Sequence, residues 1–248
     1  MEQNELRMRH LADLCRRAEQ TGQWFYSAFL TPAEQDDFRC LPAAAHYRYL
    51  FWGGTEQAER KILAAGCFPD SDPVYPLTVL KMEPVSMKYS EELTHRDYLG
   101  ALMHLGIDRS MIGDILPDGQ QAWVICMESA ATVILNELRR VRNTVVRVSL
   151  AETDCEALQP KYAELKLNVP SERLDAIVAG FTGLSRERAA SLFSAEKVFV
   201  NSRPVFHRDA KLKAGDILSV RGYGKAVCDG VEKTSRKGRL ILAFRKYV

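Results

Sequence analysis

Apolar residues recur with helical spacing in the first quarter of the chain. Leu6, Leu11 and Leu14 form one stripe of a predicted amphipathic helix. Thr31 followed by Pro32 predicts the start of a second helix. Threonine caps a helix N-terminus well, and proline suits the first helical position.

The next apolar residues come in shorter runs. Residues 47–52 are an apolar patch that ends at two glycines, and residues 56–65 predict a further helix. Residues 67–73 are rich in proline, aspartate and serine, which favour turns. We therefore predict a helical N-terminal domain over residues 1–72.

Beyond this boundary, apolar runs of strand length alternate with amphipathic stretches. They predict strands at 77–82, 111–116, 122–127 and 144–150, and helices at 97–105 and 130–141. The order βαββαβ is typical of ferredoxin-like sandwiches, which include the RRM-like folds. No aromatic pair for base stacking is evident, so the fold alone does not predict RNA binding. We assign residues 73–168 to this central domain and interpret residues 151–169 as a polar connection.

The last third, residues 169–248, predicts a small α+β domain. Leu174, Ile177, Val178 and Phe181 have the spacing of a short helix, which should stop near Gly183. Ser185 is then the predicted cap of a second helix. Strands are predicted to begin at 198, 217 and 227; the first should turn at 201–202, and the last should pair in a hairpin with residues 240–244. The whole chain is therefore predicted to be α+β.

Charge distinguishes this last domain from the rest. Residues 170–248 contain seven lysines and nine arginines against eight acids, a net charge of +8. Residues 1–169 contain 18 bases and 24 acids. A basic third on an acidic body indicates a polyanionic partner, with nucleic acid the leading candidate. A solvated charged face is the weaker alternative.

Two arginines occupy the first turn of the predicted second helix of this domain. A helix N-terminus carries partial positive charge, so Arg186 and Arg188 destabilise it unless an anion binds there. A phosphate would accept hydrogen bonds from the free backbone N–H groups and from both guanidinium groups. The alternative is that the arginines extend into water or pair with Glu187 or Asp175.

The rest of the composition excludes several classes of protein. No apolar run is long enough to span a bilayer, and no secretory signal is evident, so we expect a cytoplasmic protein without a membrane partner. The cysteines are scattered, with no CxxC pair, which excludes a zinc finger or ribbon. We expect reduced structural thiols, no metal and no cofactor. The cysteines are residues 15, 40, 67, 126, 155 and 228.

Four spaced motifs carry a resemblance to the RNA-binding domain of ribosomal protein S-four, the αL RNA-binding motif. They are Arg-Leu-Asp at 173–175, Ser-Arg at 185–186, Val-Phe-Val-Asn at 198–201 and Gly-Asp-Ile-Leu-Ser-Val-Arg at 215–221. This resemblance implies an RNA-binding surface at these positions. The expected RNA-binding residues are Arg173, Ser185, Arg186, Arg188, Lys197, Asn201, Arg203, Lys211 and Arg221.

The other two segments resemble YlmH-type proteins, a bacterial family that ends in the same kind of domain. The resemblance rests on residues 29–35, 52–62 and 94–116. It implies binding to rRNA and peptidyl-tRNA on the large ribosomal subunit and a role in rescuing obstructed subunits. It also implies a link to cell division. We expect a monomer.

A second RNA-facing surface in the central domain is a further hypothesis. It would consist of His95, Arg96, Arg109 and Ser110, and ordinary solvated polar residues are an equally good interpretation. The triplet at 95–97 matches that of kinases, but no glycine-rich loop accompanies it, so kinase chemistry is excluded. We expect Thr94 to cap a helix instead.

Two other functional classes stay open as alternatives. An RNA-modifying enzyme such as a pseudouridine synthase would use the aspartate of Arg-Leu-Asp as its nucleophile. Here Asp175 falls in a short helix, where capping or pairing with an arginine is the simpler expectation. A cell-division adaptor would use the acidic first two-thirds of the chain. We favour a non-catalytic RNA-binding protein.

Overall fold

The computed structural model describes residues 2–66, 72–152, 158–159, 161–235 and 238–247. The chain forms two compact units, residues 1–159 and residues 160–248. Helices and antiparallel sheets occur in both units, and the predicted α+β class is confirmed. No described helix is both long and apolar enough to cross a membrane.

The first unit begins with helices and a small sheet. Its elements are α1 (Glu2–Thr21), β1 (Phe25–Tyr26), α2 (Pro32–Arg39), β2 (Tyr49–Trp52) and β3 (Ile62–Ala65). The sheet has the antiparallel order β1-β3-β2. Thr31 caps α2 and forms a capping box with Glu34, as the Thr-Pro signal predicts. In the predicted stripe of α1, Leu11 and Leu14 are buried, but Leu6 is exposed.

The helix predicted over residues 56–65 is wrong, and the predicted helical N-terminal domain contains a sheet as well as helices. Residues 62–65, placed in a predicted helix, form β3 at the centre of the sheet. All four side chains are fully buried. Because a strand buried on both faces is apolar at every position, its pattern does not differ from that of a short buried helix.

The ferredoxin-like order predicted for the central region is present. It consists of β4 (Leu77–Pro84), α3 (His95–His104), β5 (Ile112–Asp118), β6 (Gln121–Met127), α4 (Glu128–Glu137), β7 (Arg140–Val141) and β8 (Thr144–Ala151). The sheet has the antiparallel order β5-β6-β4-β8-β7. Helix α4 ends four residues before the predicted position, since the chain turns through a left-handed residue, Arg142, into β8.

Both faces of this central sheet pack against apolar side chains of other elements. Leu80, Met82 and Val124 face the core beneath α3 and α4. On the other face, Val79 and Ile125 pack with apolar residues of the N-terminal segment, including Phe29 and Ile62. The predicted boundary at residues 72 and 73 therefore does not separate two compact units, because the segments on its two sides share a core.

The second unit is built on one six-stranded sheet with two helices. Its elements are β9 (Tyr162–Val169), α5 (Leu174–Thr182), α6 (Arg186–Ser194), β10 (Val198–Val200), β11 (Arg203–Pro204), β12 (Ile217–Val220), β13 (Gly224–Thr234) and β14 (Leu240–Tyr247). The antiparallel order is β11-β10-β12-β13-β14-β9. Helices α5 and α6 supply Leu174, Ile177 and Phe193 to its core.

The interpretation of residues 151–169 as a polar connection belonging to the central domain is wrong over its second half. Strand β9 pairs with β14 along its whole length, from Tyr162 opposite Tyr247 to Val169 opposite Leu240. Its polar residues alternate with Leu165 and Leu167, which contact the core of the second unit. One-sided burial makes such a strand appear polar on average, although its period of two is present.

Candidate nucleic-acid interface

Two adjacent helix N-termini organise the candidate site in the second unit. Helix α5 begins after Arg173 and ends at Gly183, whose φ of 70° places it in the left-handed conformation of a helix C-terminus. Helix α6 follows at once, capped by Ser185, whose hydroxyl accepts a hydrogen bond from the Arg188 N–H at 3.4 Å. The predicted helix stop and cap are therefore confirmed.

Asp175 lies at the centre of this arrangement and contacts two arginines. The Arg173 Nε donates to Asp175 Oδ1 at 3.2 Å, and the Arg186 Nη2 lies 3.3 Å from Oδ2. The Ala176 N–H also donates to Oδ1, at 2.9 Å. Asp175 therefore holds the guanidinium groups of two different helix starts beside one another, as expected for a residue that pairs with an arginine.

The pKa of Asp175 reflects these contacts. Burial raises it, but the hydrogen bond from Arg173, the charges of Arg186 and Arg173, and the Ala176 N–H together bring it below its ordinary value. Arg173 and Arg186 stay about half exposed, at 50% and 56% of their side-chain surface. Each guanidinium therefore keeps N–H groups that point away from the carboxylate and are accessible to a ligand.

The other predicted RNA-binding residues differ in their exposure and in the partners of their side chains. Arg188 is exposed, and no ion pair involves its side chain within the described ranges. The Arg221 guanidinium lies 4.7 Å from the centre of the Phe199 ring, and its backbone N–H bonds to the Lys197 carbonyl at 2.9 Å. The fold thus places Lys197 and Arg221 next to each other. Lys211 pairs with Glu172 at 3.2 Å.

Asn201, predicted to bind RNA, has a structural role in the fold. Its φ of 49° makes the turn between β10 and β11, together with Ser202. Its side-chain amide donates to Asp216 Oδ1 and accepts from the Ile217 N–H, both at 2.9 Å. Both ends of the amide are therefore used inside the protein. Arg203 follows this turn and is exposed.

The second RNA surface predicted in the central domain is not assembled as one site. His95 and Arg96 begin α3, a ten-residue helix about 15 Å long, whereas Arg109 and Ser110 follow its other end in a separate short turn. The Arg109 guanidinium is directed inward, to the carbonyls of Ile112 and Gly113. Burial, and then the charge of Arg60, lower its pKa to about 10.

Arg96 has neighbours that the sequence hypothesis did not include. A groove of about 600 Å³ runs between α3 and the segment that joins α4 to β7. It brings Arg96 together with Arg139, Arg140 and Arg142, and with His104. The sequence signal for this groove was three arginines within four residues, at 139, 140 and 142. It was missed because a helix was predicted over 130–141, and neighbouring residues of a helix point in different directions.

No metal-ion site is evident in the parts of the chain that the structure describes. These residues contain no cluster of His, Cys, Asp and Glu suited to a metal ion. Burial raises the pKa of the Cys126 thiol to about 12, so it is protonated at neutral pH. Cys15, Cys40 and Cys228 are free, whereas Cys67 and Cys155 lie outside the described residues.

Comparison with known proteins agrees with the central domain. Residues 76–156 match the family model described as "Putative RNA-binding domain in YlmH". The chain is 28% identical over 230 residues to the Bacillus subtilis (strain 168) protein named "Ribosome-associated protein quality control protein P2". That alignment covers 88% of this chain and 85% of the Bacillus protein.

A solved structure resembles the chain in its fold. "Cell division protein ylmH from Streptococcus pneumoniae" superposes with a TM-score of 0.50 at 14% identity, over 60% of this chain and 91% of that one. Such low identity indicates a shared fold alone. The S-four-type nature of the second unit stays a prediction. The resemblance to YlmH-type proteins is confirmed, and it rests on the match of residues 76–156 to the domain model and on the similarity to the Bacillus protein.

Proposed function

We propose that this protein binds structured RNA without catalysing a reaction. In this proposal, the arginines at the N-termini of α5 and α6 in the second unit bind RNA phosphates. The observation that carries the proposal is the arrangement of Arg173 and Arg186 around Asp175, with exposed Arg188 on the same helix turn. The net charge of +8 over residues 170–248 supports a polyanionic ligand at this site.

The geometry explains how such a site would bind phosphate. Arg186 uses one terminal nitrogen for Asp175, and its other N–H donors can form parallel bonds to phosphate oxygens. The start of α6 adds backbone N–H groups and the positive end of the helix dipole. Repulsion between these positive groups, which weakens the empty site, becomes attraction when an anion binds. Recognition of this kind reads the shape of RNA more than its sequence.

The proposed target is rRNA and tRNA on the large ribosomal subunit, in the cytoplasm. The name of the Bacillus relative supports ribosome association and quality control. The finer parts of the proposal are contact with peptidyl-tRNA, action on obstructed large subunits, and a monomeric state. They derive from the resemblance to YlmH-type proteins.

Sedimentation with purified large ribosomal subunits tests this proposal. The protein should sediment with large subunits at low salt and be released at high salt, since phosphate contacts displace counterions. Small subunits serve as the matched control. Failure to sediment with large subunits at low salt, or binding that does not respond to salt, would contradict the proposal.

A pseudouridine synthase would require Asp175 as a nucleophile. In the structure, Asp175 is held by two arginines and a backbone N–H, as expected of a residue that positions them. Incubation of the purified protein with rRNA and tRNA, followed by mapping of pseudouridine, separates the two functions. Isomerised uridine that disappears in the Asp175→Asn variant would replace the binding proposal with an enzymatic one.

A further inference from the structure

The groove beside α3 differs from the surface through which RRM-like sheets usually bind RNA. Those sheets stack bases on exposed aromatic residues of the open face. Here that face is partly covered, because Val79 and Ile125 pack against Phe29 and Ile62. Trp123, the aromatic residue of β6 on this face, is only 8% exposed. RNA that binds this domain therefore needs a different surface.

We propose that the groove between α3 and the α4–β7 segment binds the phosphate backbone of RNA. The residues that carry the proposal are Arg96, Arg139, Arg140 and Arg142, all of which line it. This inference rests on RNA binding by the chain and adds a contact that is independent of the second unit.

Two of the arginines are fixed in place by the fold. The Arg139 guanidinium donates to the carbonyls of Leu135, Asn136 and Leu138 at the end of α4. These carbonyls form the negative end of the helix dipole, so Arg139 removes a charge that would repel phosphate. Arg142 is held 3.5 Å from Asp97, the residue that completes the cap of α3.

The other two arginines are available to a ligand. Arg96 and Arg140 are exposed, and neither side chain has a hydrogen bond or ion pair within the described ranges. Asp97 and Glu137 also line the groove, so four arginines face two carboxylates. Arginine rather than lysine suits phosphate, because the planar guanidinium forms two parallel hydrogen bonds.

The floor of the groove permits close approach by a polymer backbone. Gly100 and Ala101 of α3 contribute little bulk, and a Cβ placed on Gly100 would meet no atom within 4 Å. Gly100 has ordinary helical backbone angles, so a side chain can be added without strain. The groove can therefore be filled by a single substitution that leaves the fold unchanged.

The test measures binding of the full chain to a fluorescently labelled RNA stem-loop as salt is varied. In Arg96→Ala/Arg140→Ala, affinity at low salt should fall about tenfold. The slope of log affinity against log salt should flatten by up to about 0.7–0.9 for each phosphate that the variant no longer neutralises. Arg147→Ala is the matched control, since Arg147 is an exposed arginine that pairs with Glu83 on the other face of the sheet.

A second pair of variants separates charge from blockage. Gly100→Glu and Gly100→Gln add side chains of nearly equal size, and only the first adds a negative charge. Both should weaken RNA binding, and Gly100→Glu should weaken it at least several-fold more. Thermal unfolding of both variants should match or exceed that of the wild type, because glycine is a poor helix former.

The outcomes distinguish the groove from the second unit. If the wild-type chain binds no RNA, the groove and the proposed function both fail. If it binds RNA and the groove variants keep wild-type affinity and salt slope, the groove proposal alone is wrong. It is also wrong if Arg147→Ala has the same effect. Loss of poly-L-glutamate binding with unchanged RNA binding would assign the groove to an acidic peptide instead.

Discussion

Two pairs of arginines in this protein have opposite surroundings. Arg60 and Arg109 are half-buried in the first unit and donate to backbone carbonyls. Arg173 and Arg186 surround one carboxylate in the second unit and are about half exposed. The comparison shows that an arginine surrounded by carbonyls supports the fold, whereas a half-exposed arginine that shares a partly buried carboxylate keeps donors for a ligand.

Arg60 also joins the two parts of the first unit. Arg60 donates to the carbonyls of Ile112 and Phe29 at 3.0 and 3.2 Å, and Asp114 accepts from the backbone N–H groups of residues 59 and 60. Burial lowers the pKa of Arg60, and the nearby charge of Asp114 opposes that effect. Removing this guanidinium leaves buried carbonyls without donors.

Loss of Arg60 should give the largest effect on stability. Arg60→Ala should lower the free energy of unfolding by about 2–4 kcal/mol, because several hydrogen bonds to a charged group are removed together. RNA affinity of the remaining folded protein should stay within about twofold of the wild type. Urea denaturation and RNA titration measure the two quantities, and reduced RNA affinity without reduced stability would reverse the assigned role.

Arg109 tests the same distinction at a residue that the sequence hypothesis placed in a second RNA-facing surface. Arg109→Ala should cost about 1–3 kcal/mol, since the carbonyls of Ile112 and Gly113 lose a donor. Its effect on RNA binding should be smaller than that of Arg96→Ala, an exposed arginine at the other end of α3. If Arg109→Ala weakens RNA binding more than Arg96→Ala does, the inward orientation of Arg109 is incorrect.

Asn201 extends the comparison to a residue within the basic unit. Asn201→Ala should destabilise the protein by about 1–2 kcal/mol, because two side-chain hydrogen bonds are removed and alanine is strained at a positive φ. Asn201→Gly keeps the turn without that strain and should cost less. If calorimetry shows equal losses of stability in Asn201→Ala and Asn201→Gly, the positive φ does not contribute. If Asn201→Gly is stable but binds RNA more weakly than the wild type, Asn201 has a role in RNA binding after all.

Substitution of Asp175 should give the smallest loss of stability, and this loss should depend on pH. Since folding lowers its pKa, the carboxylate stabilises the protein above the unfolded pKa of about 3.9, and this contribution is lost as pH falls through the folded value. Asp175→Asn should therefore cost up to about 1 kcal/mol at neutral pH and almost nothing near pH 2. A difference that does not depend on pH would contradict the ion pairs with Arg173 and Arg186.

Local signals in the sequence were sufficient for much of the fold. The Thr31 and Ser185 caps, the stop at Gly183 and the turn at 201–202 all occur where predicted, because each depends on neighbouring residues alone. The βαββαβ order was likewise readable from the periods of its elements.

Features that depend on distant residues could not be predicted in the same way. Strand β3 is buried by elements from elsewhere in the first unit, and β9 is held in the sheet by its pairing with the distant β14. The sequence identified Arg96 and Arg109 as basic, but it contains no local sign that Arg96 is exposed and that Arg109 is directed inward. The groove likewise depends on the approach of α3 to the α4–β7 segment.

The salt dependence of RNA binding by Arg186→Ala/Arg188→Ala tests the central claim most directly. Both side chains are exposed, and Asp175 keeps its contact with Arg173, so the free energy of unfolding of the variant should stay within about 1 kcal/mol of the wild type. Its RNA affinity at low salt should fall about tenfold. The slope of log affinity against log salt should flatten by about 0.7–0.9 for each phosphate that these arginines neutralise in the wild type. An unchanged slope would contradict the claim that the arginines at the helix N-termini of the second unit bind phosphate.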